Sequence, residues 1–254
     1  ELEKKYINVK CELSFKNLGM GSGNNIGIKL SLTDYVLILN PDVILEKNTI
    51  DELISASKTI SDFSILSPIS KDTNFPNYQF NKNQKQFYHA YDPFKVDIVD
   101  GFAMLLNKKK INQILSKESL FSEQQYFDEN FFMYLENNDL CKRITENEGN
   151  IFVVPKSKIN HLAAKAVDSK YMNEVELSRN WHWIWSKFYF NKKHFGFLKA
   201  FIQDLPRFFL SIFKYLFYLL INDKIKKQIY FNRASGFFNA SIGNSSWYRP
   251  NLDD

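Results

Sequence analysis

Five consecutive apolar residues, Tyr35-Val36-Leu37-Ile38-Leu39, run straight into Asn40-Pro41-Asp42. A short unbroken apolar run that stops at a Pro reads as a strand buried on both faces of a parallel sheet. Such sheets bind ligands at the carboxyl ends of their strands. A carboxylate there can hold a divalent cation that bridges to a diphosphate. Taken alone, Asp42 could equally begin a turn or cap the next helix.

The neighbouring sequence extends the pattern. Ile7 to Phe15 reads as a strand, and Asn17 through Gly27 as a Gly/Asn-rich loop leading into a short helix. Asn48 to Ile60 has helical spacing, with Asn48 as N-cap. Phe63 to Leu66 and Val96 to Leu106 read as strands, the second with Gly101 inside it. Residues 70–95, including Lys71-Asp72-Thr73-Asn74 and Asn81-Lys82-Asn83, read as a surface loop. Phe127 to Asn147 looks helical, Ile151 to Val154 is a strand ended by Pro155, and Val175 to Phe190 is an aromatic helix. Strands alternating with helices make an α/β chain.

Four places carry candidate chemistry. Asp42 is the first. Gly19-Met20-Gly21-Ser22-Gly23 would let backbone approach a ligand closely, but it is no P-loop, since no Gly-Lys-Ser/Thr follows. In the third, Glu136, Asp139 and Arg143 fall at i, i+3 and i+7 and share one helix face, with Leu140 and Ile144 turned to the core. Aromatics just upstream can dehydrate a carboxylate and raise its pKa toward that of a general base, although a surface ion-pair cluster has the same spacing. His161 is the fourth, a metal-ligand candidate only if the fold brings it near Asp42.

Charge is uneven. Residues 1–155 hold 17 Lys and Arg against 21 Asp and Glu, and residues 156–233 hold 15 against 5. A basic, aromatic third suggests an anionic partner, lipid or nucleic acid, or a solvated basic face. Lys199, Gln203, Arg207, Ser211, Lys214 and Tyr218 recur at helical spacing between apolar residues. Pro206 should kink that helix or begin its second half. Two cations within the run argue against a spanning helix, and an interfacial helix fits better. A core hairpin or a dimer interface would give the same pattern. Trp181, Trp183, Trp185 and Tyr189 form an interfacial belt or pack on the α/β domain. Apolar residues between the cations favour lipid over nucleic acid.

Two cysteines, Cys11 and Cys141, make neither a disulfide scaffold nor a zinc site, so a reducing compartment is the default. The charged opening Glu1–Lys5 does not read as a signal peptide. A chain that starts without Met and goes almost directly into strand-like sequence reads as lacking upstream residues.

In order and spacing, Asn17 through Gly27, Leu39-Asn40-Pro41-Asp42, Val99-Asp100-Gly101-Phe102-Ala103-Met104-Leu105, Phe127 through Arg143, and His161 resemble the family-2 glycosyltransferases of the GT-A fold. The resemblance is to the rhamnosyltransferase-like branch and covers roughly residues 15–165. It implies a three-layer GT-A sandwich with a mostly parallel central sheet over residues 1–168. Residues 169–254 would be a helical membrane-associating appendage. It implies Mg²⁺ or Mn²⁺ held by Asp42 and His161, with Asn40 in place of the first Asp of the family's Asp-x-Asp motif. Asn17, Gly19, Gly21, Gly23, Asn24 and Asn25 would border the nucleotide, and Gly101 and Phe102 the donor sugar. The catalytic base would come from Glu136 or Asp139, because Asn137 stands where the family often has an Asp.

The implied reaction is inverting transfer from a nucleoside-diphosphate sugar, such as dTDP-rhamnose, to a glycan or polyprenyl-linked acceptor in cell-surface polysaccharide synthesis. Its expected place is the cytoplasmic face of a bacterial inner membrane, held by the 199–221 helix. The rival readings are a degenerate membrane-associated sugar-nucleotide-binding protein and a nucleotidyltransferase.

Overall fold

The computed structural model describes residues 1–80, 91–116, 125–162 and 169–250. Its elements are α1 (Leu2–Lys5), α2 (Met20–Leu30), β1 (Tyr35–Leu39), β2 (Val43–Leu45), α3 (Thr49–Thr59), β3 (Phe63–Ser70), β4 (Tyr78–Gln79), β5 (Phe94–Val96), β6 (Ile98–Val99), β7 (Ala103–Asn107), α4 (Lys108–Leu115), α5 (Glu136–Glu146) and β8 (Asn150–His161). A 3₁₀ turn, Ser169–Tyr171, then leads into α6 (Met172–Phe195), α7 (Phe197–Leu220) and α8 (Lys224–Ser241). Asn81-Lys82-Asn83 lies outside the described residues.

Six strands form the central sheet in the order β1-β7-β3-β8-β2, with β5 also paired to β8. β4 and β6 form a separate two-stranded ribbon. The sheet is mixed rather than mostly parallel. β1–β7, β3–β7, β2–β8 and β5–β8 are antiparallel pairings, and only β3–β8 is parallel among the described residues. β1 and β3 do run the same way, as an α/β unit requires, but β7 enters between them reversed. Local sequence reveals strands, not their neighbours.

Alternation sorts side chains to the two faces. Ile65, Met104 and Leu106 point into one core with Ile28, Ile111, Leu140 and Ile144, under α2, α4 and α5. Leu66 and Leu105 point into the other, under Leu53 and Ala56 of α3. Burying each such side chain contributes roughly 1.5–3 kcal/mol, so the two cores hold the three layers together.

Several elements differ from the sequence expectation. β1 is an edge strand with Tyr35 and Leu39 exposed, since β7 is its only partner among the described residues. Residues 7–15 form no strand; alternation alone does not make one without a neighbour to bond, and Ile7, Leu13 and Phe15 stay exposed. The expected Gly/Asn loop is mostly helix, because α2 begins at Met20. The helix expected over 127–147 starts only at Glu136, since Tyr134 (φ 71°) and Leu135 (φ 67°) are both left-handed. β8 continues through Pro155. Residue 154 pairs with Pro68 and residue 158 with Ile69, so Pro155 sits in a bulge where its missing N–H costs no ladder bond. Asn48 caps α3 by position, without a side-chain cap bond.

The C-terminal helices pack around Trp181, Trp185, Phe188, Ala200 and Phe237. α7 runs unbroken through Pro206. Cys11 is exposed, Cys141 is buried, and both are free thiols.

Candidate functional site

The carboxyl end of β1 abuts the start of β7. Leu39 pairs with Ala103, and the Asn40 N–H donates to the Phe102 carbonyl at 2.9 Å. The chain then turns into β2, whose Val43 pairs with His161 at the end of β8. This register brings Asp42 and His161 together from residues far apart in sequence, with His161 Nε2 3.2 Å from Asp42 Oδ2. The imidazole stacks on Phe102 at 4.2 Å and 17°. Asp100 joins the same corner: burial raises its carboxyl pKa, and the charge of His161 opposes the rise. Asn40, Asp42, Gly101, Phe102 and His161 thus converge on one strand-end corner. No group of three or more metal-ligating side chains occurs among the described residues. A carboxylate oxygen and an imidazole nitrogen at an open corner suit a cation whose remaining ligands are phosphate oxygens and water.

From this corner Gly101 leads to α5. A Cβ at Gly101 would lie 3.2 Å from the Asn137 Cβ and 2.9 Å from the end of Met20. Asn137 is turned inward, its amide donating to the Val99 carbonyl at 2.9 Å. Asn137 therefore has a structural partner that an Asp could not serve, since two acceptors would face each other.

Glu136 and Asp139, three residues apart, lie in opposite environments. Glu136 is 5% exposed, its Oε2 has no hydrogen-bond partner, and burial pushes its carboxyl up to about 7. It opens the first turn of α5, where the helix's positive end favours the anion. Burial outweighs that help. Asp139 is fully buried but saturated. Arg143 Nε lies at 2.9 Å from Oδ2, and Lys193 Nζ and His194 Nε2 each at 2.8 Å from Oδ1. Desolvation alone would raise this carboxyl; the His194 bond and the Arg143 and Lys193 charges outweigh it and hold it at about 2. Of the two carboxylates expected to serve catalysis, Glu136 is favoured as base, with Asp139 orienting Arg143 or the acceptor. Asp139 does hold Arg143, and its remaining lone pairs are committed to Lys193 and His194 of α6, so it acts as a clamp, while Glu136 keeps an open one.

The glycine-rich segment divides likewise. Asn17, Gly19 and Gly23 border a cavity of about 380 Å³ with Phe15, Leu18 and Ile26. Gly19 has φ 90°, and a Cβ there would fall 2.2 Å from the Phe132 carbonyl oxygen, so only glycine fits. Gly21 is buried against Phe127 and Glu136. Asn25 is not free for a nucleotide: it donates to the Phe127 carbonyl at 2.8 Å and accepts from the Phe127 N–H at 2.9 Å. It ties α2 to the loop before α5. Asn24 Nδ2 is buried without a partner.

Sequence reasoning missed the contribution of α6. Tyr189 and Lys193 both reach Asp128 Oδ2, at 3.0 and 2.7 Å, and the Ser186 hydroxyl donates to the Met133 carbonyl at 2.7 Å. The Lys192-Lys193-His194 run was the available signal, and it read only as part of a basic third.

No family model matches the chain. It is 30% identical over 151 residues to the low-salt glycan biosynthesis hexosyltransferase Agl10 of Haloferax volcanii, covering 53% of this chain and 46% of that protein. It is 26% identical over 176 residues to the rhamnosyltransferase WbbL of Escherichia coli, covering 57% of this chain and 61% of that protein. The chain thus spans about half the length of the curated relatives it matches. Among solved structures, S. aureus TarS 1–349 in complex with UDP-GlcNAc overlaps at a TM-score of 0.42 and 12% identity, over 100% of this chain and 81% of that one. An overlap of that size adds no weight. By sequence, the chain is a relative of hexosyl- and rhamnosyltransferases, in keeping with the rhamnosyltransferase-like glycosyltransferase family that its motifs resemble.

Proposed function

We propose that this chain carries the transfer site of an inverting glycosyltransferase that moves a sugar from a nucleoside diphosphate, dTDP-rhamnose in the narrowest reading, to a glycan or polyprenyl-linked acceptor in cell-surface polysaccharide synthesis. One observation carries the reading: Glu136 is a buried carboxylate with an unpartnered oxygen and a pKa near neutrality. Asn137 and Gly101 link it to the corner of Asp42 and His161.

Asp42 and His161 would hold Mg²⁺ or Mn²⁺, which neutralises charge gathering on the departing diphosphate. Glu136 takes the proton from an acceptor hydroxyl. That oxygen forms its bond to the anomeric carbon as the bond to the diphosphate breaks on the opposite face. Above about pH 7 the carboxyl is ionised and ready, close to the ideal for a general base. Gly101, whose missing Cβ admits Met20 and Asn137, would border the donor sugar through its backbone, and Asp139 fixes α5 so that Glu136 holds its aim.

The reading extends to peripheral attachment at a membrane, at the cytoplasmic face of a bacterial inner membrane, which α7 would carry. Its outer side exposes Leu198, Ile202, Phe209, Phe213, Leu216 and Leu220. The polar row expected to face headgroups partly turns inward: Ser211 is buried, Arg207 pairs with Asp204, and Lys214 meets the Tyr230 hydroxyl at 3.1 Å. No helix among the described residues is long and apolar enough to cross a membrane.

Calorimetric titration with nucleoside diphosphates and nucleotide sugars, with and without Mn²⁺ or Mg²⁺, tests the reading on wild type and Asp42→Ala. Metal-dependent binding by wild type, weakened at least about tenfold in the variant, is expected. Absence of binding by every donor would overturn it and favour a degenerate binding protein.

A further inference from the structure

One face of α6 has no role in the proposed transfer as described so far. Glu176, Arg179 and Trp183 stand at i, i+3 and i+7 and therefore share it. The three tryptophans of this helix have different fates. Trp181 and Trp185 are buried at 0% and 3% exposure, whereas Trp183 is 47% exposed. Trp183 is not loose on the surface. Its ring meets Tyr134 edge-on, with centroids 5.5 Å apart and planes at 85°.

Tyr134 is held there by the left-handed pair Tyr134 and Leu135, which delivers the chain directly into Glu136. Two adjacent non-glycine residues in that region are a local strain of the kind that persists where a functional geometry is fixed. The phenol also senses its surroundings. Burial raises its pKa, Arg179 lowers it, and Glu176 and Glu136 raise it. Arg179 is half-buried and makes no ion pair or hydrogen bond among the described residues. The second pointer to a ligand is Glu136 itself, buried, with Oε2 unpartnered.

A flat, rigid, half-exposed indole beside convergent polar groups suits the apolar C–H face of a sugar ring, with hydroxyls reaching the polar edge. We propose that Trp183, Tyr134 and Arg179 form the acceptor subsite, where a pyranose ring stacks on Trp183 with one hydroxyl directed at Glu136. The proposal rests on the reading of Glu136 as the base. Arg179, with five donors and no acceptor, would bind ring hydroxyls beside the stack.

Saturation-transfer difference NMR on the full chain, with methyl α- and β-hexopyranosides at millimolar concentration, tests it. At least one glycoside should receive saturation from wild type. Its affinity should fall roughly tenfold in Trp183→Ala, be largely kept in Trp183→Phe, and weaken in Arg179→Gln, while nucleotide affinity is unchanged. Equal saturation of wild type and both Trp183→Ala and Arg179→Gln would overturn the subsite. So would the absence of any glycoside signal from wild type that still binds nucleotide. Loss of nucleotide binding with glycoside binding intact would instead sink the transferase reading alone.

Discussion

α6 and α7 are both 24 residues long, follow one another across Gly196, and are rich in aromatic residues, yet they end in opposite environments. α6 sinks Trp181, Trp185 and Phe188 into the core and sends Ser186, Tyr189, Lys193 and His194 to polar partners in the segment from Asp128 to Asp139. α7 buries Ala200, Asp204 and Ser211 and leaves Phe213 67% and Leu220 85% exposed. Aromatic content does not decide between these outcomes. Polar anchors do: a buried ion cluster fixes α6 to the candidate site, whereas among the described residues the Asp204 pairs of α7 reach only Arg207 on its own helix and Lys187 and Asn191 on α6. α6 thus belongs to the site, and α7 presents a surface.

The comparison breaks first, and with the largest effect, at the clamp. Asp139→Asn leaves Arg143, Lys193 and His194 without their shared carboxylate, and removing one partner of a buried ion cluster costs about 3–5 kcal/mol. Phe213→Ser on α7 should change stability by no more than about 0.5 kcal/mol, because it alters an exposed side chain. Denaturant unfolding checks both, and equal losses would erase the distinction between the helices.

The pH dependence of stability sharpens it. Glu136 in the folded chain has a pKa of about 7 against an ordinary 4.5, so the folded state holds its proton more tightly. Stability is therefore lost as pH rises from about 4.5 to 7 and is level above that, with a total cost of about 3 kcal/mol. Glu136→Gln removes this loss, so its stability relative to wild type should climb across the same window. Asp139 acts the other way: its contribution is present above about 4 and disappears as pH falls through about 2. Unfolding curves from pH 2 to 8 on the two single variants separate these slopes. A flat difference for Glu136→Gln would mean that the segment under α6 is wet.

The smallest effect on stability belongs to α7, where the readout is binding. Phe213→Ser with Leu216→Ser should weaken flotation with phosphatidylglycerol-containing vesicles roughly tenfold and leave nucleotide affinity unchanged. Unchanged flotation would remove the membrane reading and leave the site intact.

Much of this was legible in the sequence, and the gaps have physical causes. β1 has the boundaries its apolar run predicts, and the strand end at Asp42 lies where an α/β reading puts it. His161 was conditional on Asp42, and the β2–β8 register meets that condition. The i, i+3, i+7 face of α5 is real, but its spacing could not tell Glu136 from Asp139. The ligands that separate them, Lys193 and His194, arrive from more than fifty residues away. Nor could glycine content reveal that α2 is a helix: Gly19 before it packs against Phe132 and Gly21 within it against Phe127, whereas Gly23 and Gly27 face open space. The antiparallel insertion of β7 is a tertiary choice without a local signature.

The central claim is that Glu136, not Asp139, takes the acceptor's proton. Consumption of the nucleotide sugar identified by titration, followed by NMR with Mn²⁺ present, tests it most directly on wild type and Glu136→Gln. The account predicts wild-type turnover that rises with pH to a plateau above about 7, and a variant that binds donor normally but turns over at least about 100-fold more slowly. Turnover by Glu136→Gln within a few-fold of wild type would contradict it.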